Sequence, residues 1–282
     1  MKKKATTILL ATIAATLVVI ATLFIYKEVQ YHNRSCDYEQ MAQRGVLNVA
    51  VNYSPLSYYI SGDSISGFDY ELLQLLAERA QLKINFHPEA SYSKSLELLD
   101  NRTYDFIAQP IPITTRNKQD YIFSKPLQLN KQVLIQRTDS AGNKRINSQL
   151  DLGGCTLHIA QDAPTRMRIE NLAQEIGDTI HICEMPHYGV EQLIILVATG
   201  EIEYAVCDVA NAAIFAADYP CIDYSTDISF TQLMSWTLRK ESVVLCDSID
   251  SWLSQIQQTD AYREIYTRYF GSRAYHKHQR IQ

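Results

Sequence analysis

One rhythm runs twice along this chain, and it restricts the fold more than any other feature. An apolar run with strand character at 46–51 leads into a turn at Tyr53-Ser54-Pro55-Leu56. Next come Leu72, Leu73, Leu76, Ala77 and Ala80 at helical spacing, with Asp69 as the expected N-cap. A strand at 83–86 ends at Pro88, 95–99 is helical, and 104–108 is a third strand. This order, βαβαβ, implies a parallel sheet with helices on its faces. A proline-rich stretch at 110–126 interrupts it, followed by a strand at 132–136 and a polar turn at 140–143. The rhythm then restarts: strand 156–160, helix 166–176, strand 179–183, helix 190–199, strand 204–207, helix 210–217. A strand at 233–238 and helices at 248–257 and 261–269 close the pattern. Two such units joined by extended crossings form two lobes with a cleft between them.

The first 26 residues are of a different kind. Lys2, Lys3 and Lys4 precede an uncharged run at 5–26, long enough at about 1.5 Å per residue to span a hydrocarbon layer of about 30 Å. The lysines orient residues 1–4 to the cytoplasm and place the chain from 27 onward outside. The run is longer than a secretory h-region, and no small-x-small site follows it before Lys27, so it reads as a retained signal anchor. Residues 27–44 form a polar linker, 45–271 the folded domain and 272–282 a frayed tail.

The net charge of −5 offers no basic face for a nucleic-acid backbone. Six cysteines, at 36, 155, 183, 207, 221 and 246, show no CxxC spacing and no histidine at a ligand interval, so neither a metal nor a cofactor is expected. In an oxidising compartment some could pair, or they could be buried thiols. There is no G-x-S-x-G, P-loop, G-x-G-x-x-G or H-E-x-x-H, and no carboxylate pair set in a glycosidase segment. Catalytic residues are therefore not expected.

Four segments in register resemble the bacterial extracellular solute-binding proteins of family 3, the polar amino-acid receptors. They are Gly67-Phe68-Asp69-Tyr70-Glu71-Leu72 with Leu76-Ala77; Tyr53-Ser54-Pro55-Leu56-Ser57-Tyr58; Ile113-Thr114 with Phe123-Ser124-Lys125-Pro126; and Gly200-Glu201-Ile202-Glu203 with Val206-Cys207-Asp208 and Ala212. Tyr188-Gly189-Val190-Glu191-Gln192-Leu193 and Ser235-Trp236-Thr237-Leu238-Arg239-Lys240 further resemble the sensor half of the membrane-bound lytic murein transglycosylases F. The dozen residues after Phe270 cannot hold a catalytic domain, so that likeness implies a sensor without its enzyme.

The resemblance implies an α/β, two-lobed periplasmic-binding-protein fold of type II with a hinge and an interlobe cleft, preceded by one N-terminal transmembrane helix. Lobe 1 would take about 45–127 and 229–271, and lobe 2 about 128–228. It also implies a ligand set. Asp208 would take a ligand ammonium, Tyr53 would stack, Thr114 would donate, and Tyr58 would flank them. The carboxylate side departs from the family pattern. Asn117 stands where the family has its arginine, Arg116 is one position early, and Asp162 with Ala163 replaces a Gly-Thr turn that offers N–H groups to an anion. A peptide or cell-wall fragment such as a muropeptide therefore fits at least as well as a free amino acid. The implied setting is a bacterial membrane with the domain in the periplasm, handing solute to a permease or reporting to a cell-wall enzyme. A regulatory or degenerate transglycosylase-like role in peptidoglycan turnover is the alternative.

Overall fold

The computed structural model describes residues 15–24, 38–39, 41–161, 163 and 165–271. Residues 15–24 are helical with exposed side chains, and the remainder of the expected span at 5–26 lies outside the described residues. Among the described residues no helix is long and apolar enough to cross a membrane.

Two sheets organise the domain. In the first, strands β1 (Val46–Val51), β4 (Lys83–Pro88), β5 (Phe106–Pro112), β6 (Tyr121–Phe123) and β13 (Gln232–Arg239) run in the order β4-β1-β5-β13-β6, with β7 (Gln128–Asn130) also on β13. In the second, β8 (Gln132–Arg137), β9 (Thr156–Ala160), β10 (His181–Met185), β11 (Ala205–Asp208) and β12 (Ile222–Asp227) run in the order β10-β9-β11-β8-β12. A separate hairpin pairs β2 (Tyr59–Ser61) with β3 (Ser64–Ser66). The expectation of parallel sheets holds only for the βαβ parts. β13 runs antiparallel to β5, and β8 antiparallel to β11. These are the segments that cross between sheets, and each enters its new sheet against the direction of the strands already there.

Period-two burial fixes the faces of the second sheet. Val133 and Ile135 of β8, with Ala205 and Cys207 of β11, face helix α4 (Val190–Thr199) through Leu193, Ile194 and Val197. Leu134 and Val206 point the other way, to Ile169 and Leu172 of α3 (Thr165–Ile176). In the first lobe Leu72, Leu73 and Leu76 of α1 (Phe68–Ala80) are fully buried with Val49, Val51 and Trp236, under α6 (Val243–Ile256) and α7 (Asp260–Phe270). Ala50 and Ile107 turn to the opposite face with Leu99 of α2 (Tyr92–Asp100).

Two local expectations change, and one open alternative is decided for five of the six cysteines. Asp69 does not cap α1: Gly67 holds that position, and Asp69 sits buried inside the first turn. The expected break at Pro110 is absent, because β5 runs through it to Pro112. Its partner β13 shifts register between Ser235 and Thr237, which removes the need for a ladder N–H at the proline. Cys155, Cys183, Cys207, Cys221 and Cys246 are free thiols, and Cys36 lies outside the described residues.

Candidate functional site

Strand polarity gathers the expected residues. β1 runs parallel to β5, and β9 parallel to β11, so residues just past their carboxyl ends lie on one rim of each sheet, where open α/β sheets hold ligands. Tyr53 and Tyr58 follow β1, Thr114, Arg116 and Asn117 follow β5, and Asp208 ends β11. Asp162, between β9 and α3, lies outside the described residues. The register brings the two rims to the crossings. Asp208 stands opposite Gln132, the first residue of β8, and Pro112 opposite Met234 near the start of β13. Only Lys131 separates β7 from β8, and only residues 228–231 separate β12 from β13.

The loop after β1 closes on itself through Ser54 N–H donating to Tyr58 O at 3.1 Å. Tyr53 is 52% exposed, with its ring 6.0 Å from that of Tyr59. Tyr58 is 7% exposed and packs against Tyr70 and Phe86, so its ring underlies the loop.

The turn after β5 is built by its own side chains. Thr114 Oγ1 accepts from Asn117 N–H at 3.2 Å, and Asn117 Oδ1 accepts from Thr114 N–H at 2.8 Å. Asn117 Nδ2 donates to Pro112 O at 3.0 Å. The carboxamide at the family's arginine position is thus spent on the backbone. Arg116 beside it is exposed, and among the described residues its guanidinium has no hydrogen bond or ion pair.

Asp208 caps α5 (Val209–Phe215), accepting from Asn211 N–H at 2.9 Å and from Asn211 Nδ2 at 2.6 Å. It is half-buried, and burial pushes the neighbouring Cys207 thiol up, so that sulfur stays protonated. Sequence reasoning missed Gln132. Its Nε2 donates to Thr165 Oγ1 at 3.1 Å, at the start of α3, while among the described residues its buried Oε1 has no partner. The signal was the run Gln128, Asn130, Gln132 at strand spacing across the crossing.

The pattern of the bacterial extracellular solute-binding proteins, family 3, matches residues 46–272. The chain belongs to this family. Similar curated proteins include the membrane-bound lytic murein transglycosylase F of Desulfosudis oleivorans, 27% identical over 234 residues that cover 82% of this chain and 50% of that protein. The transglycosylase F of Aeromonas hydrophila is 28% identical over 245 residues, covering 86% of this chain and 48% of that protein. This chain therefore spans about half the length of the curated relatives it matches, and the region shared with them is the solute-binding fold. Among solved structures, a mutant of ArgBP from T. maritima aligns with a TM-score of 0.70 at 21% identity, covering 84% of this chain and 100% of that one. An amino acid ABC transporter substrate-binding protein of Streptococcus pneumoniae, bound to L-arginine, aligns at 0.69 and 18% identity, covering 82% and 97%. These likenesses establish the two-lobed mixed α/β periplasmic-binding-protein fold.

Proposed function

We propose that this chain is a membrane-anchored extracytoplasmic receptor that closes two lobes on a small amino-acid-like, peptide or cell-wall-fragment ligand. The observation that carries this reading is the meeting of both sheet rims at the crossings, with Asp208 on one side and the 53–58 and 114–117 turns on the other. Asp208 takes a ligand cation, Tyr53 offers its exposed ring as a stacking face, and Thr114 contributes its turn. Arg116 supplies the grip on an anion. With Asn117 committed to Pro112 and Thr114, that grip rests on one exposed guanidinium without a second fixed donor beside it. Asp162 would weaken an anion site at the start of α3. This balance favours a ligand whose carboxylate is distant or masked, as in a peptide, over a free α-amino acid. Residues 5–26 hold the receptor to the membrane.

The kinship with transglycosylases F favours a second reading, in which the bound state reports to, or forms part of, peptidoglycan turnover. Two measurements separate these readings. Thermal-shift screening of the purified protein with amino acids, dipeptides and muropeptides should give a saturable rise with one class, abolished in Asp208→Ala. A ligand at about a hundred times its Kd contributes about 2.7 kcal/mol, enough to see. No response from any class would remove the receptor reading. A peptidoglycan zymogram that shows clearing would replace it with an enzyme.

A further inference from the structure

The loop that carries Tyr53 is held from behind by a group near the other end of the sequence. The first turn of α1 supports the loop directly: Phe68 N–H donates to Leu56 O at 2.7 Å and Tyr70 N–H to Ser57 O at 3.0 Å. Helix and loop touch backbone to backbone. Gly67 has φ 128°, and a Cβ there would lie 2.2 Å from Ser57 O. The Gly67 N–H donates to the Tyr269 hydroxyl at 2.8 Å, and that hydroxyl donates to Glu71 Oε1 at 2.7 Å. One phenol oxygen thus pins both ends of the first turn of α1. Its ring packs edge-on against Phe68 at 6.2 Å, beside Tyr266 and Phe270. Burial pushes the phenol up to about 12, so it remains a donor throughout the physiological range. On the outer side, Arg268 pairs with Glu71 at 2.8 Å.

We propose that Tyr269 is a positioning residue for the ligand loop, and that the two hydrogen bonds of its hydroxyl, rather than the packing of α7 as such, set the affinity of the cleft. This rests on the receptor reading above. A loop fixed only by its own Ser54–Tyr58 and Ser57–Ser54 hydrogen bonds would sample more conformers, and ligand would bind only the fraction in the competent one. The Tyr269 hydroxyl fixes the population without touching ligand.

The test compares the full chain with Tyr269→Phe and Ile265→Val. Phenylalanine keeps the ring and loses both hydrogen bonds. Ile265→Val trims the buried face of the same helix and leaves the hydroxyl in place. Hydrogen exchange without ligand is read at the amides of Ser57, Phe68 and Tyr70. In Tyr269→Phe these should exchange about fivefold faster, and the Kd for L-arginine should weaken about fivefold, the scale of one net hydrogen bond. Ile265→Val, at a similar loss of Tm, should change neither. Equal exchange in the two variants overturns the proposal. If the unmodified protein does not respond to L-arginine, the receptor reading fails for that ligand class. The exchange comparison then decides the coupling alone: faster exchange upholds it and unchanged exchange overturns it.

Discussion

Asp69 is the second residue of α1. An acid one or two positions into a helix reads as a cap or a dipole partner on the surface. Here the side chain is fully buried and accepts from Trp236 Nε1 at 3.3 Å, 167 positions away in sequence, a partner no local pattern can reveal. Burial pushes its carboxyl from 3.8 to about 7, against the opposing pull of the Ser57 hydroxyl and the Trp236 N–H. The sign follows from proton binding. The folded state holds this proton more tightly than the unfolded state, so the contribution is complete below about pH 4 and is lost as pH rises through about 7. Asp69→Asn keeps an oxygen for the indole and removes the titration. At about pH 8 the variant should be more stable than the parent by a few kcal/mol, and at about pH 4 the two should match. Urea midpoints at the two pH values measure this. A parent-minus-variant difference that stays level across them would show that the carboxylate is charged in the fold.

Among elements, those with strong periodicity were legible and those held by side chains were not. Helices α1 and α6 and strands β1, β9 and β11 announce themselves, because their apolar residues repeat at 3.6 or run continuously. Strand β12 does not: its sequence, Ile-Asp-Tyr-Ser-Thr-Asp, is mostly polar, among the described strands it pairs only with β8, and Asp223 bonds Ser225, two positions on, across an irregular register. The hairpin β2–β3 is equally silent, because it packs little and exposes Ile60 and Ile65. The turn at 114–117 illustrates the same limit at the site. Asn117 could be placed against a family arginine, but the bonding of its carboxamide to two backbone groups, with its own N–H bonded to Thr114 Oγ1, appears only in three dimensions. Asn117→Ala removes two of those three hydrogen bonds and should cost about 1–2 kcal/mol, as loss of a cap does. It should also weaken ligand binding by freeing Arg116. Asn117→Asp retains the acceptor for Thr114 N–H and should recover part of both losses. Denaturant midpoints and ligand titration read the two effects, and full stability in Asn117→Ala would mean the turn is held by other contacts.

On the scale of the whole molecule, the doubled rhythm made two α/β lobes legible, while the direction of the crossing strands was not. That direction matters, because it places the crossings at the rims that carry the site. The crossings are also tied unequally. On the side of the second sheet, Gln149 Nε2 donates to Asp227 O at 2.8 Å, Arg168 Nε to Ile228 O at 2.8 Å and Gln132 N–H to Ser229 Oγ at 2.9 Å, with Lys131 paired to Asp227 at 2.5 Å. Beyond Ser229, whose hydroxyl donates to Phe230 O at 3.0 Å, Phe230 is 87% exposed, and among the described residues no such cluster follows before β13. Rotation between lobes should therefore concentrate at Phe230-Thr231, where few contacts must break. A ligand drives this rotation only by binding the closed state better than the open one, which requires contacts on both sides of the crossings. Asp208 supplies the second-lobe contact in the proposed scheme, and it also caps α5, so removing it mixes two effects. Asp208→Asn separates them, because asparagine caps a helix about as well but carries no charge. The variant should keep its Tm, bind a cationic ligand at least tenfold more weakly, and fail to compact on adding ligand in small-angle scattering, whereas the parent shrinks. Compaction of Asp208→Asn to the parent's closed radius would show that closure is driven from another residue of the second lobe.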